Sequence, residues 1–490
     1  MPLAARHRQS AQLRCPRLHN REAAKRRLRV IALALFAALA AFVFAPQRGR
    51  TLVAAARADS PARALPSGEV AGPYDSRPGH LWDRLYRHFY VRTTARGAAF
   101  GYDSLDPLLW PETRHLRSGV SYKQAVGLLD EFLNERGERL LTDTLKRAML
   151  QRDLWAIFDW LAAGPQSTEL RLELQPRLAL AIRRLALTRE QIAALPDNYA
   201  RAAASRAFAP AYRNNQRETP YLPPDLFDAN GPWVCLGNDK GTSVASMHTQ
   251  FFGGRSTFLV LLRLPGGRAA TLAYLKTLRE FPQPWLNEDG DVMANPNLPQ
   301  FPPGTQLALV RRLMLVDESG ELTPSPLTES VQLRVYRTAS GGAEANTRRW
   351  REAQDVYKFA LSREKLFAGE AGGLAPVAPG LKEFALFLSQ GVDWFEAGGD
   401  AAPESFQEVT LDSCATCHAA AGVHSMMSFS LPRFNGAVSP PRLSEALPAH
   451  ESGYAANWKL RQYEWGLLQG LWHAPLPESS RRAQSSSAVR

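Results

Sequence analysis

Five consecutive residues, Cys414-Ala415-Thr416-Cys417-His418, set two thiols three positions apart with an imidazole beside the second. Thiols at this spacing match the two vinyl groups of one porphyrin and add to them as thioethers. The adjacent imidazole is then held under the iron as an axial ligand. Cys414 and Cys417 are therefore the expected covalent attachments of one haem c, and His418 its expected proximal ligand. With four cysteines and ten histidines in 490 residues, chance does not explain the motif. Two other chemistries use such a pair. A dithiol redox site belongs at a strand-to-helix unit, and no such unit is legible around residue 414. A zinc site needs four good ligands, often a second close cysteine pair, and Cys15 and Cys235 do not form one.

The sixth iron position is open to several residues. Met426 and Met427 follow His418 by eight and nine positions, an extended reach of roughly 26–30 Å. His424, His450 and His473 would make the iron bis-histidine. Met247-His248 reach it if the β-rich region caps the haem. A vacant sixth position is also allowed. The sequence reading favours Met426 or Met427, with His424 and His450 behind them.

Around this motif the chain resembles the c-type cytochromes. The resemblance covers 381–474, and the pentapeptide is its one specific motif. In single-haem members a helix precedes the motif and an aromatic-bearing helix closes the domain. Residues 381–395 and 457–472, the latter with Trp458, Tyr463, Trp465 and Trp472, are similar in placement. The chain departs from the family pattern in one respect: no methionine lies far downstream of His418.

The elements that must position the motif follow from periodicity. Residues 59–79, rich in Pro, Gly, Ala and Ser, read as a linker. Helical spacing runs through 80–214. Ser121 and Gln124 form a capping box that opens a helix with Tyr122, Val126, Leu129 and Leu133 inward, and Gly137 ends it. Asp143 caps the next helix, where Leu150, Leu154, Ile157, Phe158 and Leu161 share a face. Pro176 suits the first turn of a third, and Thr188 with Gln191 forms a second capping box. Over 215–345 the signals become those of antiparallel strands, at 258–264 and 307–316, with one helix at 271–281. Val331, Leu333 and Val335 alternate with Gln332 and Arg334, the pattern of a half-buried strand. Residues 346–380 read as helix, over 347–367, and then linker. Residues 381–474 are the expected haem domain and 475–490 a disordered tail. The expected fold class is α+β and multidomain: a helical N-terminal region, an antiparallel β-rich middle domain and an α-helical c-type haem domain at the C-terminus.

Charge and cysteine usage bound the setting. Residues 1–58 hold twelve Lys or Arg against one acid, which is +11 of the net +12 and leaves +1 for the rest. A nucleic-acid-binding body would carry that charge itself, so no nucleic acid is expected as a partner. Arg21, Lys25, Arg26, Arg27 and Arg29 precede the apolar run 30–45, the order of an export signal or membrane anchor. The expected location is the periplasmic side of an inner membrane, anchored by 30–45 or released after cleavage. Four cysteines exclude a disulfide-stapled scaffold, and Cys235 among Trp233, Val234 and Leu236 reads as a buried, inert thiol. The leading function is single-electron transfer through one covalent haem c, with a periplasmic or membrane redox partner protein. Two others stay open: a haem oxidoreductase, peroxidase-like or acting on a small molecule, with a distal group such as His248 or Arg255, and a haem-based sensor.

Overall fold

The computed structural model describes residues 72–473 apart from 96, 165–166, 240, 289–290, 339–351, 385–392, 397–406, 419, 421 and 428–441. The leader with its apolar run 30–45, most of the linker 59–79 and the tail 475–490 lie outside the described residues. Among the described residues no helix is long and apolar enough to cross a membrane. These residues belong to one compact unit, Ser60–Arg490.

The chain mixes helices with a large antiparallel sheet. Its helices begin with α1 (Leu81–Tyr90), α2 (Gly119–Asn134), α3 (Thr144–Ala163) and α4 (Gln175–Leu185). The sheet contains β1 (Val234–Asn238), β2 (Ser256–Arg263), β3 (Thr305–Val316), β4 (Leu322–Tyr336), β5 (Gln354–Leu361), β6 (Leu374–Pro376) and β7 (Leu443–Glu445). Their order across the sheet is β6-β5-β4-β3-β2-β1-β7, and every neighbouring pair is antiparallel. Helices α5 (Ser246–Phe251) and α6 (Gly267–Glu280) lie between strands. The pentapeptide lies at α7 (Ala415–His418), followed by α8 (Val423–Met427), α9 (Pro448–Lys459) and α10 (Tyr463–Trp472).

The period of two along each strand divides the sheet into two faces, and both are covered. Leu259, Leu261, Val310, Val331, Leu333, Val335 and Phe359 share one core with α1 to α4 and with Trp465 and Trp472 of α10. Val234, Leu236, Phe258, Val260, Leu262 and Tyr336 share a second core with Leu275 and Leu278 of α6 and with Val423 of α8. This is a three-layer arrangement with the sheet in the middle.

Helix α3 is the hub of the helical layer. Asp143 caps it by accepting from the Leu145 and Lys146 amides, as its spacing predicts. It is buried around most of its circumference, including Gln151, Arg152, Asp153 and Asp159. Gln151 ties it to the Val316 carbonyl at 2.7 Å. Arg152 reaches Glu329 of β4 at 2.7 Å.

The Thr188–Gln191 capping box is present in both halves. Other local expectations shift. Helix α2 starts at Gly119, before the Ser121–Gln124 box, and the Ser121 hydroxyl accepts from the Leu116 amide at 3.1 Å instead. Residues 354–361, read as helical, form β5; Glu352 and Ala353 before it and Arg363–Ala368 after it are helical, and 347–351 lie outside the described residues. Tyr357, Phe359 and Leu361 alternate on the core face, and a strand there pairs the backbone of β4 that would otherwise form an edge. The stretch 369–380, read as flexible, contains the edge strand β6. Lys382–Phe384 pairs with Gln407–Val409 as strand, not helix, and 385–392 lie outside the described residues. The expected helix over 457–472 is broken at Leu460 into α9 and α10.

Cys235 lies in β1 facing the helical layer, 8% exposed. Burial, helped by the Glu451 and Glu445 carboxylates, pushes its thiol up to about 12. It is a buried packing thiol, as its neighbours in sequence predict.

Candidate functional site

Three same-face residues of β4, Gln332, Arg334 and Tyr336, address the pentapeptide and its neighbours. Gln332 Nε2 donates to Cys414 Sγ at 2.7 Å. Arg334 is 4% exposed, acts electrostatically on the His418 and His248 rings, and donates to Gln332 Oε1 at 3.1 Å. The Tyr336 hydroxyl shares a hydrogen bond of 2.8 Å with Ser425 Oγ. On the neighbouring strand, Val356 packs against Ala415, as Cys414 itself does. Alternation along β4 told correctly which residues share a face. It could not tell that the polar face is covered by the C-terminal segment, so Gln332 and Arg334 are buried.

The turn after the pentapeptide orients its histidine. Ser425 on α8 presents its backbone carbonyl to His418 Nδ1 at 2.6 Å. A carbonyl only accepts, so Nδ1 carries the proton and Nε2 keeps the lone pair used for a metal. Ser425 is itself held by its amide and hydroxyl, which donate to the Gly422 carbonyl at 3.1 and 2.8 Å. Gly422 sits at φ +55°, where a Cβ would meet Gln300 Oε1 at 2.1 Å. The same Gln300 oxygen accepts from the Val423 amide at 3.2 Å.

Across from His418 stands His248 of α5. The two imidazole rings are near-parallel, 8° apart in plane, with centroids 6.0 Å apart. Phe258 of β2 backs His248 at 5.3 Å, and Phe252 backs Phe258 at 5.5 Å. The Arg311 guanidinium lies over Phe252 at 4.1 Å from its centroid. Both imidazoles keep some accessible surface, yet burial is the main cause of their shifted titration, with the Arg334 charge next. His248 is held at about 4 and His418 at about 3. At neutral pH both rings are neutral, the form that binds a metal.

The other candidates scatter. Met426 is half-buried and packs with the apolar core on this face of the sheet. His424 is buried, and burial lowers its pKa beside the Pro296 backbone. His450 on α9 is half-exposed and 3.5 Å from the Glu451 carboxylate. The side chains of Cys417 and Met427 lie outside the described residues. Arg255, read as a possible distal group, is bound instead to Asp159 at 2.8 Å and Asp106 at 3.0 Å. Among the described residues no three His, Cys, Asp or Glu side chains converge as a cage for a bare metal ion.

Behind the imidazole pair lies a buried ionic cluster whose members are far apart in the chain, so no local pattern assembles it. Arg152, Arg255, Arg311 and Lys459 interleave with Asp106, Asp159 and Glu329. Burial opposes ionisation of Asp106, but Arg311, Arg152 and Arg255 outweigh it and hold its carboxyl well below the usual range. Arg311 joins this cluster to the aromatic pair behind His248.

The donor set fits a haem c. It offers a thiol pair in sequence, an imidazole with its tautomer fixed, a facing imidazole, aromatic and aliphatic walls, and a buried cation. No protein-family model, curated protein or solved structure matches the chain.

Proposed function

We propose that this chain is an exported or membrane-anchored c-type haem protein whose work is single-electron transfer. The observation that carries this reading is the fixing of His418: within the Cys-X-X-Cys-His pentapeptide, its Nδ1 proton is bound to the Ser425 carbonyl at 2.6 Å, which makes Nε2 the nitrogen that would bind a metal. A haem c held there supplies a one-electron iron couple.

The chain's own residues then have distinct tasks. Cys414 and Cys417 are the thioether attachments. Gln332 holds Cys414 against the sheet, and Val356 packs on Ala415 beside it. Tyr336 and Gly422 hold Ser425, and through it the His418 ring. Arg334 places a buried positive charge beside His418, which would favour the reduced form of an iron held there. Phe252 and Phe258 exclude water from the His248 side. The segment 381–474 provides attachment, and the sheet provides the wall against which it lies. A periplasmic or membrane redox protein is the partner this role requires.

A redox titration of the full exported protein tests the function. A reversible one-electron couple whose reduced spectrum ignores carbon monoxide is expected. Carbon monoxide binding together with peroxide turnover would replace electron transfer with haem-enzyme chemistry.

A further inference from the structure

We infer that His248 is the sixth iron ligand, so that the haem is bis-histidine. This rests on the haem reading of the pentapeptide. Two metal–imidazole bonds of ~2.0–2.1 Å, each extended by ~1.2 Å from nitrogen to ring centre, set the centroids of trans ligands ~6.4–6.6 Å apart. The His248 and His418 centroids are 6.0 Å apart, about half an ångström short of that span, and their planes differ by 8°.

The position of His248 is set from behind. Phe258 packs on His248 with ring centroids 5.3 Å and planes 29° apart, and Phe252 packs on Phe258 at 5.5 Å. Arg311 lies over both phenyl rings. Arg311 is in turn anchored to Glu329 at 2.8 Å and to Asp106 at 2.9 Å. A ligand supported by packed side chains that are themselves ion-paired is pre-organised, as an axial ligand needs to be. Met426, His424 and His450 have other surroundings: the apolar core, the Pro296 backbone and the Glu451 carboxylate. The sheet region thus supplies one axial ligand and the C-terminal segment the other, so the haem joins both parts of the chain.

The test is spectroscopy of the full-length protein exported with its haem attached. Denaturation first establishes whether haem is covalently retained; its absence overturns both the haem reading and this ligand assignment. With haem retained, the oxidised wild type should be low-spin and lack the sulfur-to-iron charge-transfer band of methionine ligation. Near-parallel ligand planes should give a rhombic low-spin electron paramagnetic resonance signal with three resolved g values. His248→Ala should become high-spin and bind carbon monoxide, and added imidazole should restore the low-spin spectrum. Met426→Ala, His424→Ala and His450→Ala should leave the spectrum unchanged. A methionine band in the wild type, or an unchanged low-spin spectrum in H248A with haem still covalent, overturns the assignment while leaving the haem reading intact. If H248A does not fold, the wild-type spectra and His248→Met decide alone. His248→Met should create the methionine band, and a wild-type spectrum retained in that variant overturns the assignment.

Discussion

Glu329→Gln should weaken the protein by about 3–4 kcal/mol, far more than a surface ion pair is worth. Glu329 is fully buried and receives Arg152 at 2.7 Å and Arg311 at 2.8 Å. Each such pair contributes about 4 kcal/mol at an effective dielectric near 20. Losing both is offset by the several kcal/mol no longer spent desolvating the carboxylate, which leaves a net loss in the range found when one partner of a buried pair is removed. The surrounding cluster has four cations against three carboxylates, so the neutral amide raises its excess charge from one to two. Glu131→Gln supplies the control. Its Arg84 partner lies at 2.5 Å, as close as any in the cluster, but both side chains are partly exposed. That substitution should cost less than about 1 kcal/mol. Urea unfolding at neutral pH reads both variants. A Glu329→Gln loss no greater than that of Glu131→Gln would refute the claim that the buried cluster braces the wall behind His248.

Two further outcomes follow from the geometry. His115 is held at about 4, chiefly by burial. A free imidazole titrates near ~6.5, so between the two values the unfolded chain binds more protons than the native one. The stabilisation from keeping this ring neutral is full above ~6.5 and is lost as pH falls toward the native value, at about 2 kcal/mol by pH 5. Urea midpoints at pH 7 and pH 5 check this, and equal midpoints would contradict it. Gly422→Ala places a side chain at φ +55° and against Gln300; the backbone cost alone is about 1–2 kcal/mol. The Val423 and Ser425 amides should exchange hydrogen faster in this variant by mass spectrometry, and an unchanged rate there would separate Gly422 from the support of His418.

The candidate residues were more legible in the sequence than their surroundings. Cys414, Cys417 and His418 lie within five positions of the chain, so type and spacing alone single them out. Asp143 and the Thr188–Gln191 box were equally legible because a cap is a local hydrogen-bond pattern. Residues 354–361 were misread because their strand identity comes from pairing with β4, which no local period encodes. Gln332 and Arg334 were visible as alternating polar residues, but what covers that face is a tertiary fact. His248 was legible only as a condition, that the β-rich region cap the haem. The register of β2 and the short helix α5 place it opposite His418, across a long stretch of chain. Ser425 gave no signal at all, since it acts through its backbone carbonyl.

The central claim is one covalent haem on Cys414 and Cys417. Intact-mass measurement of the protein, expressed with export and haem-attachment machinery and then denatured and extracted with acidified acetone, tests it most directly. A mass increase of one haem is expected, falling to none in the Cys414→Ala/Cys417→Ala double variant. A wild-type chain that carries no added mass, with both thiols open to alkylation after reduction, would contradict the account and return the pair to dithiol chemistry.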